Sequence, residues 1–101
     1  MRLSVDTSRR LAEEPGSGHN RWHPGLEPIA SVRPGTEITF ETRDGLDGPF
    51  DRSSTHEDVL HVDLRLGHPL TGPVFVETVE PGDLLEIELI AYESSDFGFT
   101  A

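Results

Sequence analysis

Proline–glycine pairs cut this chain into short pieces, and two of the cuts are made in the same way. Val32-Arg33-Pro34-Gly35-Thr36-Glu37-Ile38-Thr39-Phe40-Glu41 and Val79-Glu80-Pro81-Gly82-Asp83-Leu84-Leu85-Glu86-Ile87-Glu88 match in register. In each, proline fixes φ at the first turn position and glycine supplies the positive φ of the second. Both copies therefore read as a turn that launches a strand. Convergent turn chemistry and duplication would each leave this echo, and the first is favoured. Either origin argues for many short elements in an all-β fold, a β-sandwich or jelly-roll-like arrangement with one short helical turn.

The rest of the chain follows that reading. Residues 1–17 are polar and predict a short strand around Leu3 to Val5, then a linker. A helical turn over Ser8 to Glu14 would be stopped by Pro15 and Gly16. Residues 18–101 form the predicted β domain. Within it Ile29 to Val32 is a short apolar stretch. Ile38, Phe40 and Thr42 then alternate with Thr39, Glu41 and Arg43, the period of a half-buried strand. A Gly- and Asp-rich loop spans Asp44 to Asp51. Ser54 and Glu57 fit a capping box for one turn through Leu60. Val62 and Leu64 begin a further predicted strand. Val74 to Val79 and Leu84 to Tyr92 are the last two, the second with Leu85, Ile87, Leu89 and Ala91 on one face.

A chain of 101 residues can bury one modest core. Its 19 acidic and 8 basic residues give a net charge of −11, which repels phosphate backbones and anionic lipid. Nucleic acid and membrane are therefore poor partners. There is no cysteine, so disulfides and thiolate metal sites are excluded. No apolar leader or bilayer-length run is present, and a cytoplasmic location is expected.

Chemistry-bearing side chains gather in three stretches. Gly18-His19-Asn20-Arg21-Trp22-His23-Pro24 holds two imidazoles, an amide, a guanidinium and the single tryptophan. A surface loop has no packing reason to hold so many. Glu41-Thr42-Arg43-Asp44 closes a strand pattern, and His68-Pro69-Leu70-Thr71-Gly72-Pro73 follows later. With Asp58-Val59-Leu60 and Glu80-Pro81-Gly82-Asp83-Leu84-Leu85, this ordered set resembles the opening portion of the acetamidase/formamidase family, nearest its formamidase branch. The resemblance runs from about Gly16 to the C-terminus.

That resemblance implies a β-sandwich portion of a metal-dependent hydrolase of short linear amides, releasing ammonia and a carboxylate. It makes His19 and Asp44 the expected ligands of a divalent metal, with zinc the best match to imidazole and carboxylate donors. Asn20, Trp22, His23 and His68 become substrate-side groups. It also places Gly25 where formamidase-like members carry an aspartate. A catalytic zinc needs about three protein ligands and an open position. Two ligands are too few, so the chain is expected to be inactive alone. The remaining ligands are expected from a companion chain or from the family's C-terminal part, with self-association a further expectation. Asp58 or Asp47 could accept a proton, but spacing selects neither.

Plainer readings stand beside these. His19 and His23 are four apart, yet the surrounding Pro and Gly rule against a helical metal pair. Asp44-Gly45 is an ordinary turn pair. Trp22 serves equally as core anchor or pocket wall, and Arg21 could pair with any surface acid. His56 and His61 are expected to be exposed. No EF-hand loop, phosphate-binding Gly loop or serine elbow is present. The apolar tail Phe97-Gly98-Phe99-Thr100-Ala101 reads as a chain cut inside an element. The rival to an amidase part is a non-catalytic acidic β-sandwich that binds a partner protein or carbohydrate.

Overall fold

The computed structural model describes residues 1–100, and Ala101 lies outside the described residues. Strands and extended segments dominate, and the longest helical element described is four residues. The strands are β1 (Arg2–Leu3), β2 (Gly18–His19), β3 (Ala30–Val32), β4 (Thr39–Phe40), β5 (Leu70–Thr71) and β6 (Val74–Val76). One helical turn, α1, spans His56–Val59, and 3₁₀ turns lie at Leu11–Glu13, Pro15–Ser17 and Leu64–Leu66. Three two-stranded ladders result. β1 and β4 run parallel, β2 and β5 antiparallel, and β3 and β6 parallel.

Turn chemistry explains the first of these pairings. Gly35 has φ 84° and Thr36 N donates to Arg33 O at 3.2 Å, so the Pro34-Gly35 turn forms as expected. It delivers β4 to β1, where Thr39 N and Glu41 N donate to Met1 O and Leu3 O, both at 2.9 Å. The β3–β6 ladder is prolonged at both ends by Ile29 N to Pro73 O (2.9 Å) and Glu77 N to Val32 O (2.8 Å).

The second turn forms as well, with Gly82 at φ 98° and Asp83 N donating to Glu80 O at 3.0 Å. The strand expected after it does not form. Residues 84–92 are assigned to no ladder and are exposed throughout. Leu84 is 98% exposed and Ile87 72%. A strand is stabilised by a neighbour's backbone groups and a surface to cover, and the described residues offer this segment neither.

Two smaller expectations shift, and the faces of residues 38–43 are settled. Ile38 and Glu41 are half-buried and the Arg43 side chain is 5% exposed, whereas Thr39 is exposed and Phe40 is 45% exposed. The capping box moves on by one residue, because Ser54 Oγ already accepts Asp51 N at 2.9 Å. Thr55 becomes the cap, and its N–H donates to Asp58 Oδ2 at 2.7 Å. Val62 and Leu64 begin no strand, since Asp63 Oδ1 accepts Arg65 N at 3.0 Å and caps a 3₁₀ turn instead.

Little apolar surface is removed from water. Val5 and Val32 are the buried apolar residues among those described, and no large side chain is fully enclosed. The accessible surface is 8317 Å², against about 5,700 Å² for a compact chain of this mass. The radius of gyration is 15.6 Å, against about 13 Å for a compact domain of this length. Residues 96–99 fold back onto the 50–52 loop, with Phe99 edge-to-face on Phe50 at 4.9 Å and Arg52 5.6 Å from the Phe97 ring centre. No described helix is long and apolar enough to cross a membrane.

Candidate functional site

The β2–β5 ladder brings two of the three chemistry-bearing stretches together. His19 pairs with Leu70, and Gly18 with Thr71. Only glycine allows this approach, since a Cβ at Gly18 would stand 2.0 Å from Leu70 O. The third stretch joins through Thr71 Oγ1, which donates to Glu41 O at 2.6 Å, and His68 N, which donates to Gly45 O at 2.8 Å. Asn20 Nδ2 and an Arg21 guanidinium N–H both donate to Arg65 O at 3.1 Å and close the corner. Two of the three non-glycine residues with positive φ lie here, His68 at 58° and Asp47 at 63°. Such backbone persists only where its surroundings fix it.

The backbone assigns opposite tautomers to the two histidines of the first stretch. His19 Nδ1 lies 3.0 Å from Arg21 O, and a carbonyl can only accept, so Nδ1 carries the proton. In the neutral ring the free lone pair is then on Nε2, the arrangement in which a histidine is oriented as a metal ligand. His23 is the reverse: its Nδ1 accepts Gly25 N at 2.9 Å, which leaves Nε2–H as a donor. A Cβ at Gly25 would lie 3.0 Å from His23 Nδ1 and Cε1, so the bare glycine makes room for this ring position.

Asp44 opens a tight turn. Its Oδ1 accepts Leu46 N at 2.9 Å and its carbonyl accepts Asp47 N at 3.1 Å. The carboxylate is exposed and borders a cavity of about 190 Å³ with Ser8, Arg9, Arg10 and Asp47, while His19 does not line it. Both candidate proton acceptors are otherwise engaged. Asp47 is 4% exposed and accepts Leu11 N at 3.2 and 2.9 Å through its two oxygens. Asp58 caps α1. Trp22 is 88% exposed, so it anchors no core among the described residues. His56, His61 and His68 are exposed too.

Hydrogen bonding tunes two nearby carboxyls. The side-chain bond from Arg65, followed by its backbone N–H, pulls Asp63 down to about 2. The Arg2 guanidinium, and then Val5 N, hold Glu41 below the ordinary carboxylate range. No three His, Asp or Glu side chains among the described residues are grouped closely enough to hold a metal by themselves. Sequence reasoning passed over Arg43.

A sequence description of the acetamidase/formamidase family matches residues 4–101. The chain belongs to that family. Among family relatives, an acetamidase of Mycolicibacterium smegmatis is 41% identical over 88 residues, covering 87% of this chain and 22% of its own length. A formamidase of Methylophilus methylotrophus is 38% identical over 100 residues, covering 96% and 25%. The solved gamma lactamase from Delftia acidovorans superposes with a TM-score of 0.73 at 39% identity, covering 80% of this chain and 20% of that one. The chain thus spans about a quarter of the length of the curated relatives it matches.

Proposed function

We propose that this chain supplies the histidine-bearing part of a metal-dependent hydrolase that cleaves short linear amides to ammonia and a carboxylate. The observation that carries the reading is the gathering of residues 18–23, 41–45 and 67–73 at the β2–β5 ladder and its His68–Gly45 tie. Family membership and relatives described as acetamidase and formamidase supply the reaction class.

The donors fit a divalent metal of zinc type. His19 offers Nε2 with its other nitrogen fixed by a carbonyl, and Asp44 offers an exposed carboxylate. A bound zinc supplies Lewis acidity toward an amide carbonyl and toward water. His23 Nε2–H would be a donor for a substrate or product oxygen. Asn20 has spent an amide N–H on Arg65 O and keeps its side-chain oxygen for a substrate N–H. Trp22 provides a flat wall, and His68 stands at the turn that holds Gly45. Further metal ligands come from protein outside this chain, whether a companion chain or the segment equivalent to the rest of the relatives. By itself the chain is inactive.

Zinc titration and ammonia release from formamide test this in the isolated chain and in its complex with whatever copurifies from the native host. We expect weak zinc binding and no ammonia from the chain alone, and both from the complex. His19→Ala and Asp44→Ala each abolish tight zinc binding in the complex. Undiminished zinc affinity in both variants rejects the site and favours the partner-binding alternative.

A further inference from the structure

A buried guanidinium is costly unless its N–H groups find acceptors. Arg43 finds four, all within residues 6–17. One terminal nitrogen donates to Asp6 O at 2.9 Å and to Arg9 O, the other to Glu14 Oε2 and to Ser17 Oγ at 3.2 Å. The acceptors are themselves linked. Glu14 Oε2 also accepts Asp6 N at 3.1 Å, and Ser17 Oγ donates to Glu14 O at 2.8 Å.

Position gives this knot its meaning. Arg43 directly precedes Asp44, and Ser17 directly precedes β2 with His19. On the far side of the turn, buried Asp47 accepts Leu11 N, again from the N-terminal segment. The turn bearing Asp44 is thus pinned on both sides to residues 6–17, while the Asp44 carboxylate between the pins is free to face solvent.

We propose that Arg43, with Glu14 as its counter-ion, is the positioning residue for Asp44, and that residues 6–17 are a strap fixing that carboxylate relative to the His19 strand. The inference rests on Asp44 being a working group of the proposed site. Lysine cannot replace the arginine: it presents three donors from one nitrogen, whereas the acceptors here are spread across a planar fork.

The test compares the 101-residue chain with its Glu14→Gln variant, close in shape to the native residue, and its Arg43→Lys variant, which keeps the charge and loses the fork. Two quantities are read by NMR: hydrogen exchange of the Leu11, Leu46 and Asp47 amides without metal, and zinc affinity from the shifts of His19 and Asp44. We expect exchange to quicken about tenfold or more at those three amides, with Glu77 N in the β3–β6 ladder unchanged. Zinc affinity should fall about tenfold. Unchanged exchange overturns the proposal. So does quickened exchange with undiminished zinc affinity, because the knot is then structural only. If the native chain takes no zinc at His19 and Asp44, the metal reading is decided by the variants in the complex. Positioning then stands or falls on the Leu46 amide, which bonds to the Asp44 carboxylate directly.

Discussion

The Pro34-Gly35 and Pro81-Gly82 turns share a geometry and lead to opposite outcomes. After the first, β4 meets β1, and the Glu41 and Arg43 side chains just beyond it bond to the N-terminal segment. After the second, nine residues join no ladder and leave large apolar side chains facing water. A turn fixes direction, but a partner makes the strand. The two regions also differ in what holds them. Residues 1–77 are joined less by an apolar core than by polar ties: Arg43 to Glu14, Asp47 to Leu11, and Thr71 to Glu41. Residues 84–92 carry the alternating pattern of a strand with one covered face, yet both faces are exposed.

One substitution type applied to both regions gives the largest contrast. Val32 is 7% exposed at the end of β3, opposite Val76 in the β3–β6 ladder, and Val32→Ala should destabilise the chain by about 2 kcal/mol. Leu84 is 98% exposed, and Leu84→Ala should change stability by less than about 0.5 kcal/mol despite the larger deletion. Urea unfolding of the two variants measures both. Equal losses would mean that residues 84–92 are covered in solution, by self-association or by folding back, and the comparison would break.

A finer effect is expected in the 18–25 loop. Gly25→Asp should drive the His23 ring from its seat, because the new Cβ would press on the ring at 3.0 Å. Nitrogen-15 spectra of the native chain near neutral pH should show His19 protonated on Nδ1 and His23 on Nε2. In the variant His23 should revert to an ordinary tautomer mixture while His19 stays fixed. A mixture at both rings in the native chain would remove the division of labour between ligand and donor.

These residues also show what could be read in the sequence. The three chemistry-bearing stretches, the Pro-Gly turns and the Ile29–Val32 apolar stretch, which holds β3, rest on local signals, such as functional side-chain density, turn residues and apolar runs. The inward turn of Glu41 and Arg43 was not legible, because alternation marks two faces without saying which one meets the rest of the chain. The usual inference puts apolar residues inside. Here the neighbour is a polar strap whose carbonyls and carboxylate reward an arginine. The capping box was misplaced by one residue because Ser54 had a second use that local pattern cannot rank. The missing strand at 84–92 failed for a different reason. Its local preference is sound, and none of the described residues pairs with it.

The smallest effect is electrostatic and belongs to the tied region. Asp63 is held near 2 by the Arg65 side chain and then its backbone N–H, so its folded-state value lies below that of the unfolded chain. The sign follows from linkage. A depressed carboxyl contributes stability above its unfolded pKa, and that contribution is lost as pH falls through the folded value. The 3₁₀ turn at Leu64–Leu66 should therefore keep its cap through the pH 4 region, where free carboxyls protonate, and release it near pH 2. The Arg65 amide shift followed against pH reads this directly. Asp63→Asn should abolish that titration and leave the Glu77 amide of the β3–β6 ladder unmoved. Because Arg65 O receives both Asn20 Nδ2 and Arg21, release of the cap should also shift the Asn20 side-chain amide at low pH. An Asn20 signal indifferent to Asp63 would show that the corner of the candidate site stands independently of the turn beneath it.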